Sequence, residues 1–310
     1  MVANAATTTI QNSHAVSGKD CMFQDWCRWK DAPTFTQSSF KETLCGGQAF
    51  RWRQIDDYYE GRWSSNVVRL RYLDGAVHFA LPASVDRTSA LQNLRSYFAC
   101  ETDFYQLSDA LPWRNDSILS TAIQHFSGLR ILRQPFAETL FCFLCSSTKQ
   151  IPQIQAICEA IALDMGAPLA DGSHALPTWP VIAAAGEARL RAAKLGYRAR
   201  YIHQTALYLA SRPGWLEATE RAPTHQARAR LMELPGVGRK IADCTLLFGA
   251  GRLEAFPIDT WVEKILNRAY LLEGWKLPQL QDFARVHFGN TSGYAQQYLF
   301  AAARAGHIPS

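Results

Sequence analysis

The chain has 310 residues, enough for about two domains and for a core that needs no disulfide or metal staple. Hydrophobic residues make up 48% and charged residues 19%, which excludes a disordered chain, and no apolar run reaches the ~18–20 residues of a membrane helix. Lys and Arg outnumber Asp and Glu by 32 to 27, a net charge of +5 that permits a polyanionic partner without demanding one.

Residues 1–20 are polar and rich in Ala and Thr. They lack the apolar stretch of a secretory signal and the arginines of a mitochondrial presequence, and they read as a disordered lead-in. Residues 21–105 read as a β-rich domain. Ala49 to Arg53, Tyr58 to Ser64, Val67 to Tyr72 and Ala76 to Ala80 are short runs of aromatic and β-branched residues. Asp74-Gly75 signals a type I′ hairpin, whose two central residues need positive φ. Gly46-Gly47 marks a tight, exposed piece of backbone, and Arg87 to Cys100 begins a helix. A curled antiparallel sheet with one or two helices across it is predicted.

Residues 106–310 read as an all-α region, so the fold class is α+β. Phe136 to Ser147 is a nearly all-apolar helix suited to burial on every side, and Ile151 to Gly166 is amphipathic. Asp171 to Pro180 reads as a loop. Glu187 to Ala210 alternates basic and apolar residues. Arg230 to Gly249 reads as two helices interrupted at Leu234-Pro235-Gly236-Val237-Gly238, and Trp261 to Leu272 and Tyr294 to Ala305 are further helices. No internal repeat is present. Eight cysteines at irregular spacing read as reduced thiols of an intracellular protein.

The interrupted pair carries the most chemistry. Gly236 and Gly238 expose backbone N–H groups that, with the start of the next helix, can hold one phosphate without reading sequence. Lys240 lies in the first turn of that helix, where the dipole favours a neutral amine over an ammonium. Asp259 follows nineteen residues later, after Phe256-Pro257-Ile258, and can cap the next helix or face Lys240 across a cleft. An amine and a carboxylate so placed suit Schiff-base chemistry at a sugar carbon.

At these residues the chain resembles the helix-hairpin-helix glycosylases with a Gly/Pro-rich loop and an aspartate, and among them the 8-oxoguanine DNA glycosylase/AP lyase family. Gly47-Gln48-Ala49-Phe50-Arg51-Trp52, the helix ending Cys145-Ser146-Ser147, Gly196-Tyr197-Arg198-Ala199, and Gln296 with Phe300 resemble that family's blocks in order from about Thr43 to Ala303. The resemblance implies that Lys240 displaces the base at C1′ and that Asp259 stabilises the transition state. It implies that the Gly47 carbonyl faces N7 of a flipped base, which carries a proton in 8-oxoguanine but not in guanine. Cys244 and Phe300 would sandwich the base, Gln296 would bond its Watson–Crick edge, and Tyr197 and Arg198 would fill the gap and contact the opposite base. Thr148 and Trp261 stand at two further DNA-contacting positions.

Taken singly, each residue has an ordinary structural alternative: a turn at Gly47, core at Cys244 and Phe300, a solvated helix residue at Gln296, a cap alone at Asp259. Thr148-Lys149-Gln150 replaces an asparagine run that reads cytosine in eukaryotic members, and Gln153 replaces an arginine, so relaxed selection of the opposite base is expected. Trp261 stands in place of a histidine. Cys142-x-x-Cys145 reads as buried core, and no cysteine follows Cys244, which excludes the C-terminal iron–sulfur cluster of related glycosylases.

The expectation is therefore a monomeric, bifunctional repair enzyme acting on oxidised purine in double-stranded DNA. It would work without membrane attachment or a redox or organic cofactor, with a monovalent cation at the hairpin left open. It would lie in the cytoplasm or nucleoid of a bacterium or the nucleus of a eukaryote. The alternatives are an alkylpurine glycosylase, which uses the aspartate without a lysine, and a non-catalytic helix-hairpin-helix DNA-binding protein, which needs neither.

Overall fold

The computed structural model describes residues 22–310. The lead-in expected at residues 1–20 lies outside them. Five antiparallel strands form one sheet: β1 (Cys27–Arg28), β2 (Trp52–Ile55), β3 (Tyr58–Trp63), β4 (Asn66–Leu73) and β5 (Ala76–Ala80), in the order β1-β5-β4-β3-β2. Asp74 and Gly75 both have positive φ, 51° and 73°, as the hairpin between β4 and β5 requires. Helix α1 (Gln37–Cys45) is opened by a reciprocal Thr36–Ser39 cap, and α2 (Arg87–Tyr97) is capped by Asp86. Phe40 and Leu44 of α1, and Leu94 and Tyr97 of α2, share one core with Trp52, Tyr59, Leu70 and Phe79 of the strands.

The first predicted strand, Ala49 to Arg53, is displaced, since β2 runs from Trp52 to Ile55. Ala49 to Arg51 lies outside it because the preceding residue docks elsewhere. The buried Gln48 amide donates to the Arg130 carbonyl at 2.8 Å and accepts from Leu132 N–H at 2.8 Å, while its own carbonyl accepts from Gln134 Nε2 at 2.5 Å. This segment therefore ties the sheet to the helical part. Ser64 N–H adds a bond to Glu138 at 2.8 Å.

The helical part comprises α3 (Phe104–Asp109), α4 (Ser117–His125), α5 (Phe136–Ser146), α6 (Ile151–Met165), α7 (Trp179–Ala192), α8 (Arg198–Ala210), α9 (Trp215–Arg221), α10 (Thr224–Met232), α11 (Arg239–Phe248), α12 (Thr260–Ala269), α13 (Leu277–Phe288) and α14 (Ser292–Arg304). They enclose a second core. Helix α5 is buried along nearly its whole length, as its composition predicts, and packs against α11. Trp179 and Pro180 belong to α7 rather than to the predicted loop, since a helix's first turn has no partner for the N–H that proline lacks. The basic stretch is two helices, broken at Lys194 and Gly196, both with positive φ. The sequence reading missed β1, α1, α3, α4, α9 and α13, most of them short. Among the described residues no helix is long and apolar enough to cross a membrane.

Candidate active site

The hairpin joins α10 to α11. Gly236 has φ of 77°, and a Cβ there would sit 2.7 Å from Cβ of Tyr201, so glycine is needed for both conformation and space. Thr205 of α8 donates to the Pro235 carbonyl at 3.0 Å, and Val237 N–H donates to Leu234 O at 3.0 Å. These bonds fix the loop while leaving Gly236 and Gly238 exposed. Gly238 is the N-cap of α11, so the first amides of that helix point out of an uncovered end.

Lys240 is in the first turn of α11 and half-buried. Its Nζ donates to Ser146 Oγ at 3.2 Å, and Ser146 in turn donates to the Phe143 carbonyl at 2.7 Å. The amine lies 5.2 Å from the centre of the Phe143 ring, which packs between Phe50 and Phe248. Ser146 and Phe143 were not singled out in the sequence as partners of the lysine. The signal was the end of α5, but only the tertiary contact of α5 with α11 assigns it.

Asp259 is the N-cap of α12, its Oδ1 accepting from Trp261 N–H at 3.0 Å and Val262 N–H at 2.9 Å. The cap expected of it is present, and the residue is half-buried. Cys244, one turn beyond Lys240, lies within the electrostatic reach of both. Burial pushes its thiol up to about 12, Lys240 opposes that rise, and Asp259 reinforces it. Cys244 thus feels the charges of both Lys240 and Asp259. The indole of Trp261, two residues after Asp259, is exposed.

Gly47 comes from the turn after α1, with φ of 102°. A Cβ on it would lie 3.0 Å from Ile151 Cδ1 and 3.6 Å from Phe300 Cε1. The turn therefore fits against Phe300 and Ile151. Gln296 is buried one turn before Phe300, and its Oε1 has no hydrogen-bond partner among the described residues. Such an acceptor is costly unless something binds it.

The opposite-base side is arranged differently. Tyr197 is exposed, with the Arg198 guanidinium 4.5 Å from its ring centre. Arg198 itself is buried: it donates to the Ser147 carbonyl, to Thr148 Oγ1 at 2.6 Å and to Leu195 O at 3.2 Å. Thr148 is exposed and has φ of 55°. Gln153 closes the start of α6 by accepting from Gln150 N–H at 3.1 Å. Of the basic residues before Arg198, Arg189 pairs with Asp164 and Arg191 with Glu187. Cys142 and Cys145 are buried in α5, as expected, and Cys142 Sγ is 3.7 Å from Cys158 Sγ.

A hairpin with open amides feeding a helix that carries a lysine, followed by an aspartate that caps the next helix, defines a helix-hairpin-helix base-excision protein. Two family models match the chain: the HhH-GPD superfamily base excision DNA repair protein over residues 143–285, and the 8-oxoguanine DNA glycosylase N-terminal domain over residues 33–140. The N-glycosylase/DNA lyase OGG1 of Arabidopsis thaliana is 32% identical over 287 residues, which is 87% of this chain and 78% of the relative. Among solved structures, MBOgg1 in complex with a low affinity DNA ligand is 31% identical with a TM-score of 0.80, covering 91% of this chain and 95% of that one. Clostridium acetobutylicum 8-oxoguanine glycosylase/lyase, in complex with double-stranded DNA containing cytosine opposite 8-oxoguanine, is 28% identical with a TM-score of 0.81, covering 93% and 100%. The chain belongs to the 8-oxoguanine DNA glycosylase family.

Proposed function

We propose that the protein binds duplex DNA, excises 8-oxoguanine and then cuts the strand at the resulting site. The observation that carries this reading is the Lys240 amine, seated at the start of α11 against Ser146, with Asp259 at the start of the next helix and both charges acting on Cys244. The neutral amine attacks C1′ of the flipped nucleotide. The bond from C1′ to the base breaks, its electrons leave with the purine, and the purine takes up a proton. Asp259 opposes the positive charge that develops on the sugar. The amino sugar opens to an imine on Lys240, loss of a C2′ proton follows, and the 3′ phosphate leaves by β-elimination.

The Gly47 carbonyl selects the lesion because it attracts the N7 proton of 8-oxoguanine and repels the bare N7 of guanine. Phe300 and Cys244 hold the faces of the base, and the unpartnered Gln296 Oε1 accepts from its edge. Gly236 and Gly238 hold a phosphate, Tyr197 fills the gap, and Trp261 and Thr148 contact the strands. This chemistry draws on no redox or organic cofactor. The Leu234 and Pro235 carbonyls of the hairpin accept from Val237 N–H and Thr205 Oγ1. A single chain carries every group named, and the substrate places the protein with the genome, in nucleoid or nucleus.

Selection of the opposite base is relaxed on this reading, because Arg198 is engaged by Ser147 and Thr148. Borohydride reduction of the protein with an 8-oxoguanine duplex tests the function: a covalent complex at Lys240 is expected. No complex, or release of 7-methylguanine as fast as 8-oxoguanine, overturns it.

A further inference from the structure

We propose that Arg304 is a positioning residue that sets the Gly47 turn and Phe300 for lesion selection, with Glu42 as its anchor. Arg304 is the last residue of α14, two turns beyond Gln296 and one beyond Phe300 on the same face. Its guanidinium donates to the carbonyl of Gly46 at 2.8 Å and to Glu42 Oε1 at 3.2 Å, and lies 5.5 Å from the centre of the Phe300 ring. One cation therefore touches both walls of the base site: the residue before Gly47, and the ring that closes on Gly47.

Glu42 shows that the arrangement is built rather than incidental. Its carboxylate folds beneath Gly46 so closely that a Cβ on Gly46 would meet Oε1 at 2.2 Å. Gly46 has an ordinary φ of −77°, so it is the space, not the conformation, that calls for glycine. Burial raises the Glu42 carboxyl above its usual range, and Arg304 is the largest influence holding it down. Lys41 acts in the same direction. A carboxylate is kept in a place that disfavours it, where it restrains the guanidinium on the Gly46 carbonyl.

A carbonyl discriminates N7–H from N7 only if it cannot turn away from the wrong base. Gln48 fixes the turn on its C-terminal side through the Arg130 and Leu132 backbone. Arg304 fixes the N-terminal side. This inference rests on the proposed excision of 8-oxoguanine.

The test compares wild type with Arg304→Met, Arg304→Lys and Glu42→Gln on three duplexes, carrying 8-oxoguanine, 7-methylguanine or a preformed abasic site. Arg304→Met should slow single-turnover excision of 8-oxoguanine about tenfold or more, the effect of one charge-assisted hydrogen bond. It should also narrow the ratio of 8-oxoguanine to 7-methylguanine excision, while cleavage at the abasic site, where there is no base to hold, falls far less. Lysine, which keeps one donor for the Gly46 carbonyl, should recover part of the loss. Glu42→Gln, which keeps the shape of the anchor, should show the same pattern weakly. Equal losses on all duplexes, or an unchanged ratio in both Arg304→Met and Glu42→Gln, overturn the proposal. A wild type that cleaves abasic DNA but spares 8-oxoguanine overturns the functional reading instead.

Discussion

The two sides of the cleft use their polar groups in opposite ways. On the excision side, polar groups face inward to the cleft with capacity to spare: Lys240 rests on a single hydroxyl, and Gln296 Oε1 has no partner among the described residues. On the opposite-base side, the strongest donor is turned into the protein. Arg198 gives both terminal nitrogens to Ser147, Thr148 and Leu195 and leaves only its Nε without a partner among the described residues, and Gln153 serves its own helix start. Buried polar groups left open are costly, and the Gln296 oxygen, next to Phe300, is free for a ligand to complete. Groups already satisfied mark where the chain completes itself. By this measure, the protein is set up to judge the damaged base and much less to judge its partner.

The comparison breaks first at Lys240. Lys240→Gln should abolish borohydride trapping and β-elimination altogether, the largest effect in the molecule. Trapping that persists would move the nucleophile elsewhere and dissolve the contrast. Asp259→Asn comes next. Asparagine still caps α12 through its side-chain oxygen, so the melting temperature should barely move while single-turnover excision falls roughly 10²-fold. A variant that melts early and keeps its rate would make Asp259 a cap and nothing more.

The opposite-base side should yield a smaller effect. With Arg198 engaged, excision of 8-oxoguanine opposite adenine, guanine or thymine should lie within about tenfold to a hundredfold of that opposite cytosine. Single-turnover rates against all four bases measure this. A preference for cytosine far beyond that range would show that Arg198 leaves Ser147 and Thr148 when DNA binds.

Much of this was legible in the sequence, for identifiable reasons. The hairpin, Lys240 and Cys244 are close in sequence, and helix geometry places the last two on one face, while Asp259 was legible as the cap of the next helix. The sheet and its Asp74-Gly75 hairpin follow from alternation and turn chemistry. What the sequence hid was long-range. Nothing local tells that Ser146 receives Lys240, that Gln48 leaves the first strand to bond residues 130 and 132, or that Arg304 reaches back to Glu42. The same gap explains Arg198, whose place in a basic stretch reads as an exposed donor until its burial against Ser147 is seen.

Thr148 sharpens the comparison at its finest scale. Its φ of 55° is a left-handed conformation that a β-branched side chain adopts only under constraint, at a cost of roughly 1–2 kcal/mol. The constraint is visible: its hydroxyl accepts from Arg198 at 2.6 Å, and Arg198 also holds the carbonyl just before it. Asparagine enters the left-handed region more readily than threonine. Its side-chain oxygen can still accept from Arg198, and its amide adds two donors on the exposed side. Thr148→Asn should therefore keep or raise stability, by up to about 1 kcal/mol, read as a higher midpoint of thermal or denaturant unfolding. It should also widen the preference for cytosine by severalfold, and more when combined with Gln153→Arg. If stability drops instead, the Arg198–Thr148 bond outweighs the backbone strain. The opposite-base side is then more tightly self-satisfied than the conformation of Thr148 alone implies. If stability rises while the preference stays flat, the new amide does not reach the partner base, and the contrast between the two sides lies in the position of the turn rather than in the choice of residue at its tip.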